Sequence, residues 1–303
     1  MKIFSFRHRN LVFGVTATVV GCCTVLTPHT ILLNQYRYIR ARYYQIDKEA
    51  PLGSKMHQTI QDVMNDLKLP DDVKSLIKPF NAFGFDLFHA GSLYTKYGAI
   101  LGIPVNFTNA AEQLRENLQI LEEPIDWTRQ DAKSFLKSTT LSENAQKFAI
   151  ANEILRIQTE EPLFSSFLLG VIIAGFWTLY NSITYKYSLH RNVIMCRTLY
   201  SSFTLCGILA WFGIKDYRTY NLDSEHDEAL CKLGPEYVKG GQEFYEKLLS
   251  RNRALRSLLG NDGKRTYTAY GNEHTFLRQR YVPISHRKAF FDLRLNNLNN
   301  NKV

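Results

Sequence analysis

The sequence predicts a mostly α-helical membrane protein, α with a small β element, that crosses a bilayer three times and carries one joint extramembrane domain. Three observations predict it. Residues 163–183 (LFSSFLLGVIIAGFWTLYNSI) and 193–214 (VIMCRTLYSSFTLCGILAWFGI) are two apolar runs, and no Asp or Glu occurs between Glu161 and Asp216. At about 1.5 Å per residue each run spans roughly 31 Å of helix, enough for a hydrocarbon core of about 30 Å. A third charge-free run covers 11–33, flanked by Lys2, Arg7 and Arg9 on one side and by Arg37, Arg40 and Arg42 on the other.

The short basic link TYKYSLHRN turns the second and third runs into a transmembrane hairpin. Helices are the expected form, because lipid offers the backbone no hydrogen-bond partners. Arg197 is the one charge inside these runs. It lies one turn from the basic link, so it is expected to snorkel to the headgroups. A transporter would need paired charges within the spans, and only Arg197 is available.

Pro28 is expected to end or kink the first span. A cleaved secretory signal fits poorly, since there is no small-x-small cleavage site and Pro28 stands where processing would fall. The first acidic residue is Asp47. An acid-free, Arg-containing start (the basic segment 1–10) before an apolar span resembles a mitochondrial import signal.

The remaining chain divides into a middle segment, 45–162, and a tail, 216–303. The hairpin makes an even number of crossings, so both are expected on one side of the membrane, packing together. Basic residues near the spans number slightly more on that side (Arg37, Arg40, Arg42, Lys48, Lys215, Arg218) than on the other (Lys2, Arg7, Arg9, Lys186, Arg191). The positive-inside rule then leans towards a domain facing the matrix, or the cytosol for another membrane. The net charge of +9 sits largely at these flanks, where anionic lipid of the bilayer is the simplest partner, and no nucleic-acid signature is present. Five cysteines are scattered without a CxxC, so neither a disulfide scaffold nor a zinc or copper site is indicated. No metal and no cofactor is expected.

Within the middle segment, Met56, Ile60, Val63, Met64 and Leu67 fall at helical spacing, stopped by Pro70. KPFNAFGFDLFHAGS reads as looser chain, 97–107 as a short strand and 131–137 as a short helix. Thr140 and Glu143 fit a capping box that opens a helix through about Ile157. In the tail a helix is expected over about 224–259, interrupted and bent at Gly240-Gly241 and capped by Gly260, with a turn at 261–263. Beyond it the chain reads as extended or loose. His226, His274 and His286 read as surface groups. Small residues at four-residue spacing, Ala17/Gly21 and Gly170/Ala174, would let spans pack closely, within the chain or against a partner. No phosphate-cradling glycine loop and no GxSxG occurs.

The run Gly240, Gly241, Phe244, Tyr245 and Leu248 is the candidate partner-binding or structural motif. Its i,i+4 apolar spacing is that of a core stripe, while an exposed part of it would dock a partner. The longer string GGQEFYEKLLSRNRALRSLLGNDGKRTYTAYG (240–271), with KPF at 78–80, GIPVNF at 102–107, IDW at 125–127 and LSENAQKFAIANEI at 141–154, closely resembles the transmembrane protein 177 family of the mitochondrial inner membrane. The resemblance implies a multi-pass, non-enzymatic assembly factor. Its implied partners are cytochrome c oxidase subunit II and that subunit's assembly chaperone.

A second resemblance is one of layout. HtpX-like membrane zinc peptidases place His-Glu-x-x-His just before a transmembrane hairpin and take a third ligand, Glu, from a helix after it. Here Asn152, Glu153 and Arg156 fall on the motif and Glu228 on the later helix, with GIPVNF upstream where such peptidases carry an edge strand. Zinc hydrolysis needs two imidazoles one turn apart. Asn152 is a poor ligand and Arg156 would repel the cation, so the resemblance implies at most a disarmed scaffold. An active or degenerate metallopeptidase-like protein is the rival reading. The residues alone read as an ordinary helix with Glu153 and Arg156 as a solvated i,i+3 pair.

Overall fold

A computed structural model describes residues 2–45, 48–108, 119–120, 123–275 and 278–300. The polar end at 301–303 and the side chains of the basic segment 1–9 lie outside that description.

Three helices are long and apolar enough to cross a membrane. Helix α1 (Lys2–Leu26) is followed by a 3-10 turn, Thr27–His29, with Pro28 at its start. The helical part of the first span therefore ends earlier than the expected Leu33. Proline has no N–H to continue the ladder. Leu33 instead opens a separate helix, α2 (Leu33–Arg40), and is buried with Phe80, Ala82, Ala90 and Ile100.

The hairpin is formed by the later helices Glu161–Lys186 and Val193–Leu233, referred to below as α6 and α7. Asn192 caps the second, accepting from the N–H groups of Ile194 at 3.1 Å and Met195 at 3.2 Å. Phe167, Val171, Ile194 and Leu209 stand exposed on these helices, as apolar side chains facing lipid would. The small-residue spacing serves packing within the chain. A Cβ on Gly21 would lie 2.5 Å from Ile173, and one on Gly170 would lie 2.6 Å from the Cys22 sulfur. Where they cross, the Ser166 hydroxyl donates to the Cys22 carbonyl at 3.0 Å.

The middle segment holds helix α3 (Ser54–Asp66) and a three-stranded sheet. Its strands are β1 (Ile77–Ala82), β2 (Phe88–Gly91) and β3 (Ala99–Pro104), in the order β1-β3-β2. Central β3 runs parallel to β1, pairing Ala99 with Ile77, and antiparallel to β2, pairing Gly102 with Phe88. All six β3 residues are buried. The stretch read as loose thus supplies two of the three strands. The expected strand at 97–107 is trimmed to β3, because 105–108 turns helical.

Helix α4 (Gln130–Thr139) precedes α5 (Glu143–Ile157). The cap of α5 is Ser142, whose hydroxyl accepts from Ala145 N–H at 3.3 Å, while Thr140 ends α4. The expected capping box at Thr140 is therefore replaced by a cap two residues later. Its carboxylate comes from another helix: Glu243 accepts from Ser142 N–H at 3.0 Å and from the Ser142 hydroxyl at 2.5 Å.

In the tail, α7 continues without a break from the span to Leu233, and Gly234 at φ +148° with Pro235 starts α8 (Pro235–Leu258). The expected break at Gly240-Gly241 does not occur. Both glycines lie inside α8, where α5 and the last helix press against it. A Cβ on Gly240 would strike the Asn144 carbonyl, and one on Gly241 would lie 2.7 Å from Phe291 and 2.8 Å from Phe148. Gly260, at φ +58°, leads directly into α9 (Gly260–Thr266), so the expected turn at 261–263 is a helical turn. The end read as loose forms α10 (Ile284–Asn300), whose Phe291 is fully buried.

The main core draws on α3, β3, α5, the end of α7, α8 and α10. At its centre the Phe148 ring meets Tyr245 and Phe291 edge-on, at centroid distances of 5.6 and 5.0 Å. Residues from both polar segments therefore share one apolar core.

Candidate functional site

The second half of α5 packs against β2, α7 and α8, is reached by Arg287 of α10, and has most of its side chains buried. A helix in that position cannot leave Glu153 and Arg156 in water. Glu153 is 9% exposed and Asn152 5%. The expected solvated pair is instead part of an enclosed charge cluster, because an unpaired buried charge would cost several kcal/mol.

His89 on β2 meets Glu153, Nδ1 to Oε2, at 2.5 Å. Arg156 lies 3.9 Å from Glu153 and 2.8 Å from Asp223 of α7. Arg287 of α10 binds Asp227 through Nε and Nη2, both at 2.6 Å. It also approaches Asp223 at 3.5 Å and donates to the Asn152 side-chain oxygen at 3.4 Å. The Tyr245 hydroxyl donates to Asp227 at 3.1 Å, and the Arg287 guanidinium lies 4.7 Å from the centre of the Tyr245 ring. Two guanidiniums thus face three carboxylates, with the His89 imidazole set against Glu153.

Burial alone would raise the Glu153 carboxyl, but Arg156, His89 and Arg287 outweigh it and bring the pKa down to about 2. His226, one turn beyond Asp223, is also buried, against the expectation of a surface group. Burial, with Arg156 nearby, lowers its pKa to about 4.

Above this floor lies a cleft of about 640 Å³ between the middle segment and the tail. Asn152, Glu153 and Arg156 line it below, and Phe85, Phe244, Leu248 and Arg251 form part of its walls. Two separately noted sequence features, the peptidase-like positions and the Gly240–Leu248 motif, thereby meet. The motif divides. Gly240, Gly241 and Tyr245 are core residues, while Phe244 and Leu248 are half-buried at the cleft. Glu228 faces solvent and does not join the site.

The donor set does not suit a metal. Among the described residues no group of three His, Cys, Asp or Glu could hold a metal ion. Asn152 already accepts from Arg287, and two guanidiniums occupy the acidic pocket that a divalent cation would need. Glu153 is held ionised by Arg156, His89 and Arg287.

Sequence reasoning missed His89, Asp223, His226, Asp227 and Arg287. Asp223, His226 and Asp227 do share one helical face, spaced i, i+3 and i+4, which was a usable signal. Arg287 had none, since it sits in a stretch read as loose.

The chain matches the model of the family described as Transmembrane protein 177 over residues 32–285. The chain belongs to the transmembrane protein 177 family. It is 32% identical to the human Transmembrane protein 177 across 94% of this chain and 92% of the relative. The rat relative is 30% identical over the same shares, and the Xenopus laevis relative 28% over 78% of each chain. No solved structure matches. The family match covers both walls of the cleft and four of the five helices and strands that supply the cluster, ending two residues before Arg287.

Proposed function

We propose that this membrane protein is a non-enzymatic assembly factor of the mitochondrial inner membrane. In this reading it supports the biogenesis and stability of cytochrome c oxidase subunit II together with that subunit's chaperone, and its domain faces the matrix. Family membership supports the reading. The structural observation that carries it is the division of labour in the cleft. The charges on its floor are engaged with one another, whereas Phe85, Phe244 and Leu248 present half-buried apolar side chains along its walls. Such a surface suits holding a polypeptide, because interface energy concentrates in aromatic and apolar anchors.

The test is native purification of the full chain from mitochondria, with and without Phe244→Ala and Leu248→Ala together. Retained abundance with loss of co-purified subunit II supports the reading, and unchanged co-purification sinks it. Protease treatment of mitoplasts checks the side, since a matrix domain stays protected. Peptide cleavage by purified protein, abolished by Glu153→Gln, would instead establish a peptidase.

A further inference from the structure

A second cavity, about 250 Å³, lies where the three spans meet the domain. It is lined by Val25 and His29 from the end of the first span, by Glu161 and Ser165 from the start of the second, and by Lys215 and Asp216 just beyond the third. This is the level of the lipid headgroups, because the apolar run ends at Ile214.

The charges around it do not cancel. Each carboxylate that lines it is paired. Glu161 binds Arg218 at 3.1 Å, Asp216 binds Arg278 at 2.7 Å through its second oxygen, and Asp223 binds Arg156 at 2.8 Å. Two lining cations are left over. Lys215 and Arg280 have no ion-pair partner among the described residues, and their contacts are with aromatic rings, Trp211 and Tyr281. Burial lowers the pKa of the Lys215 ammonium; Glu161 opposes this, while Arg280 and Arg278 add to it, as cations facing one another do.

A second, independent observation lies deeper. Asp223 and His226, 1% and 8% exposed, line the same cavity, and Asp223 Oδ2 and His226 Nδ1 have no hydrogen-bond partner. An acceptor beside a neutral imidazole suits a hydroxyl group, which can donate to one and accept from the other.

We propose that this cavity binds the headgroup of an anionic phospholipid, with the phosphate between Lys215 and Arg280 and a hydroxyl-bearing headgroup reaching towards Asp223 and His226. Lipid is the source because the cavity sits at the ends of all three spans. The proposal is independent of the assembly role.

The test uses full-length protein, delipidated in detergent, with thermal stability and native mass spectrometry as readouts. The probes are phosphatidylglycerol, phosphatidylinositol, phosphatidic acid, phosphatidylcholine and soluble glycerol 3-phosphate. The two hydroxylated anionic lipids are expected to bind at least tenfold more tightly than phosphatidylcholine, with phosphatidic acid in between. Lys215→Gln with Arg280→Gln should lose that advantage, and Lys215→Arg with Arg280→Lys should keep it. His226→Leu should bring the hydroxylated lipids down to phosphatidic acid. Equal binding of phosphatidylcholine, or full anionic binding by the neutralised variant, overturns the proposal. A response to glycerol 3-phosphate without one to the lipids overturns the lipid source.

Discussion

Glu243 on α8 caps the neighbouring helix α5 at the surface, its carboxylate accepting from both the backbone N–H and the hydroxyl of Ser142. The N-terminus of a helix leaves donors unsatisfied, and a nearby anion offsets the positive end of its dipole. The cap that steadies the cleft floor thus comes from the helix that supplies the cleft wall. Ser142→Ala or Glu243→Ala is expected to cost about 0.5–2 kcal/mol each. Because both remove the bond from the Ser142 hydroxyl to the Glu243 carboxylate, the double variant should lose less than the sum in a double-mutant cycle. Simple additivity in detergent unfolding would show that the two helix ends are not coupled.

Arg287 is the central cation of the cluster. Arg287→Met leaves Asp223 and Asp227 without it and should destabilise the domain by roughly 3–5 kcal/mol. Arg287→Lys should rescue only partly, because an ammonium cannot make the bidentate contact to Asp227. Steady-state abundance in cells and the melting temperature of purified protein would both report this. Full stability of Arg287→Met would show that the cluster is dispensable for folding.

Gly241→Ala places a methyl group between Phe148 and Phe291. The expected loss is about 1–3 kcal/mol, the range for overpacking a filled core. A glycine acting as a bend would instead gain helix stability on substitution, by about 1 kcal/mol. The sign of the change in melting temperature separates the two roles.

Acidification should weaken the fold in two stages. His226 has a folded pKa of about 4, below its ordinary 6.5, so the unfolded chain takes up the proton first. Its contribution is whole above pH 6.5 and is lost as pH falls towards 4, by at most about 3 kcal/mol. Glu153, lowered from 4.5 to about 2, adds a second loss between those values. His226→Phe should make the profile shallower between about pH 7 and 4 only. Parallel wild-type and variant curves in that range would contradict the burial of a neutral imidazole.

The spans were legible because lipid demands one uninterrupted apolar run per crossing, and that requirement is written locally. The helices α3 and α5 were legible for the same local reason, through Met56, Ile60 and Val63 in one and Phe148, Ile150 and Ile154 in the other. The sheet was less so. Its strands are four to six residues long, too short for alternation to declare itself between Gly84 and Gly91. The Asn-rich end hid α10, whose stability comes from Phe291 entering the core and not from propensity. At the site, Glu153 and Arg156 drew notice through the layout resemblance to membrane peptidases, but their buried environment did not show in the sequence. The partners Asp223 and Arg287 stand 67 and 135 residues from the α5 groups they touch, separations that no local pattern records. Gly240 and Gly241 show the same limit. Glycine in a helix reads as weakness until the neighbouring helix is in view.

The third span and the outer half of α7 are one rod. Its 41 residues extend about 60 Å, and some 28 Å of that, from Lys215 to Leu233, stands outside the apolar run. A rigid rod pivoting in the bilayer by about 10° would swing its far end by about 5 Å, a simple lever on this helical rise. Asp223, His226 and Asp227 ride on that arm, while Arg156, the partner of Asp223, sits on α5, whose chain leads into a different span. Any tilt of the third span would thereby act as torque on the floor of the cleft, where the Arg156–Asp223 ion pair ties that arm to α5.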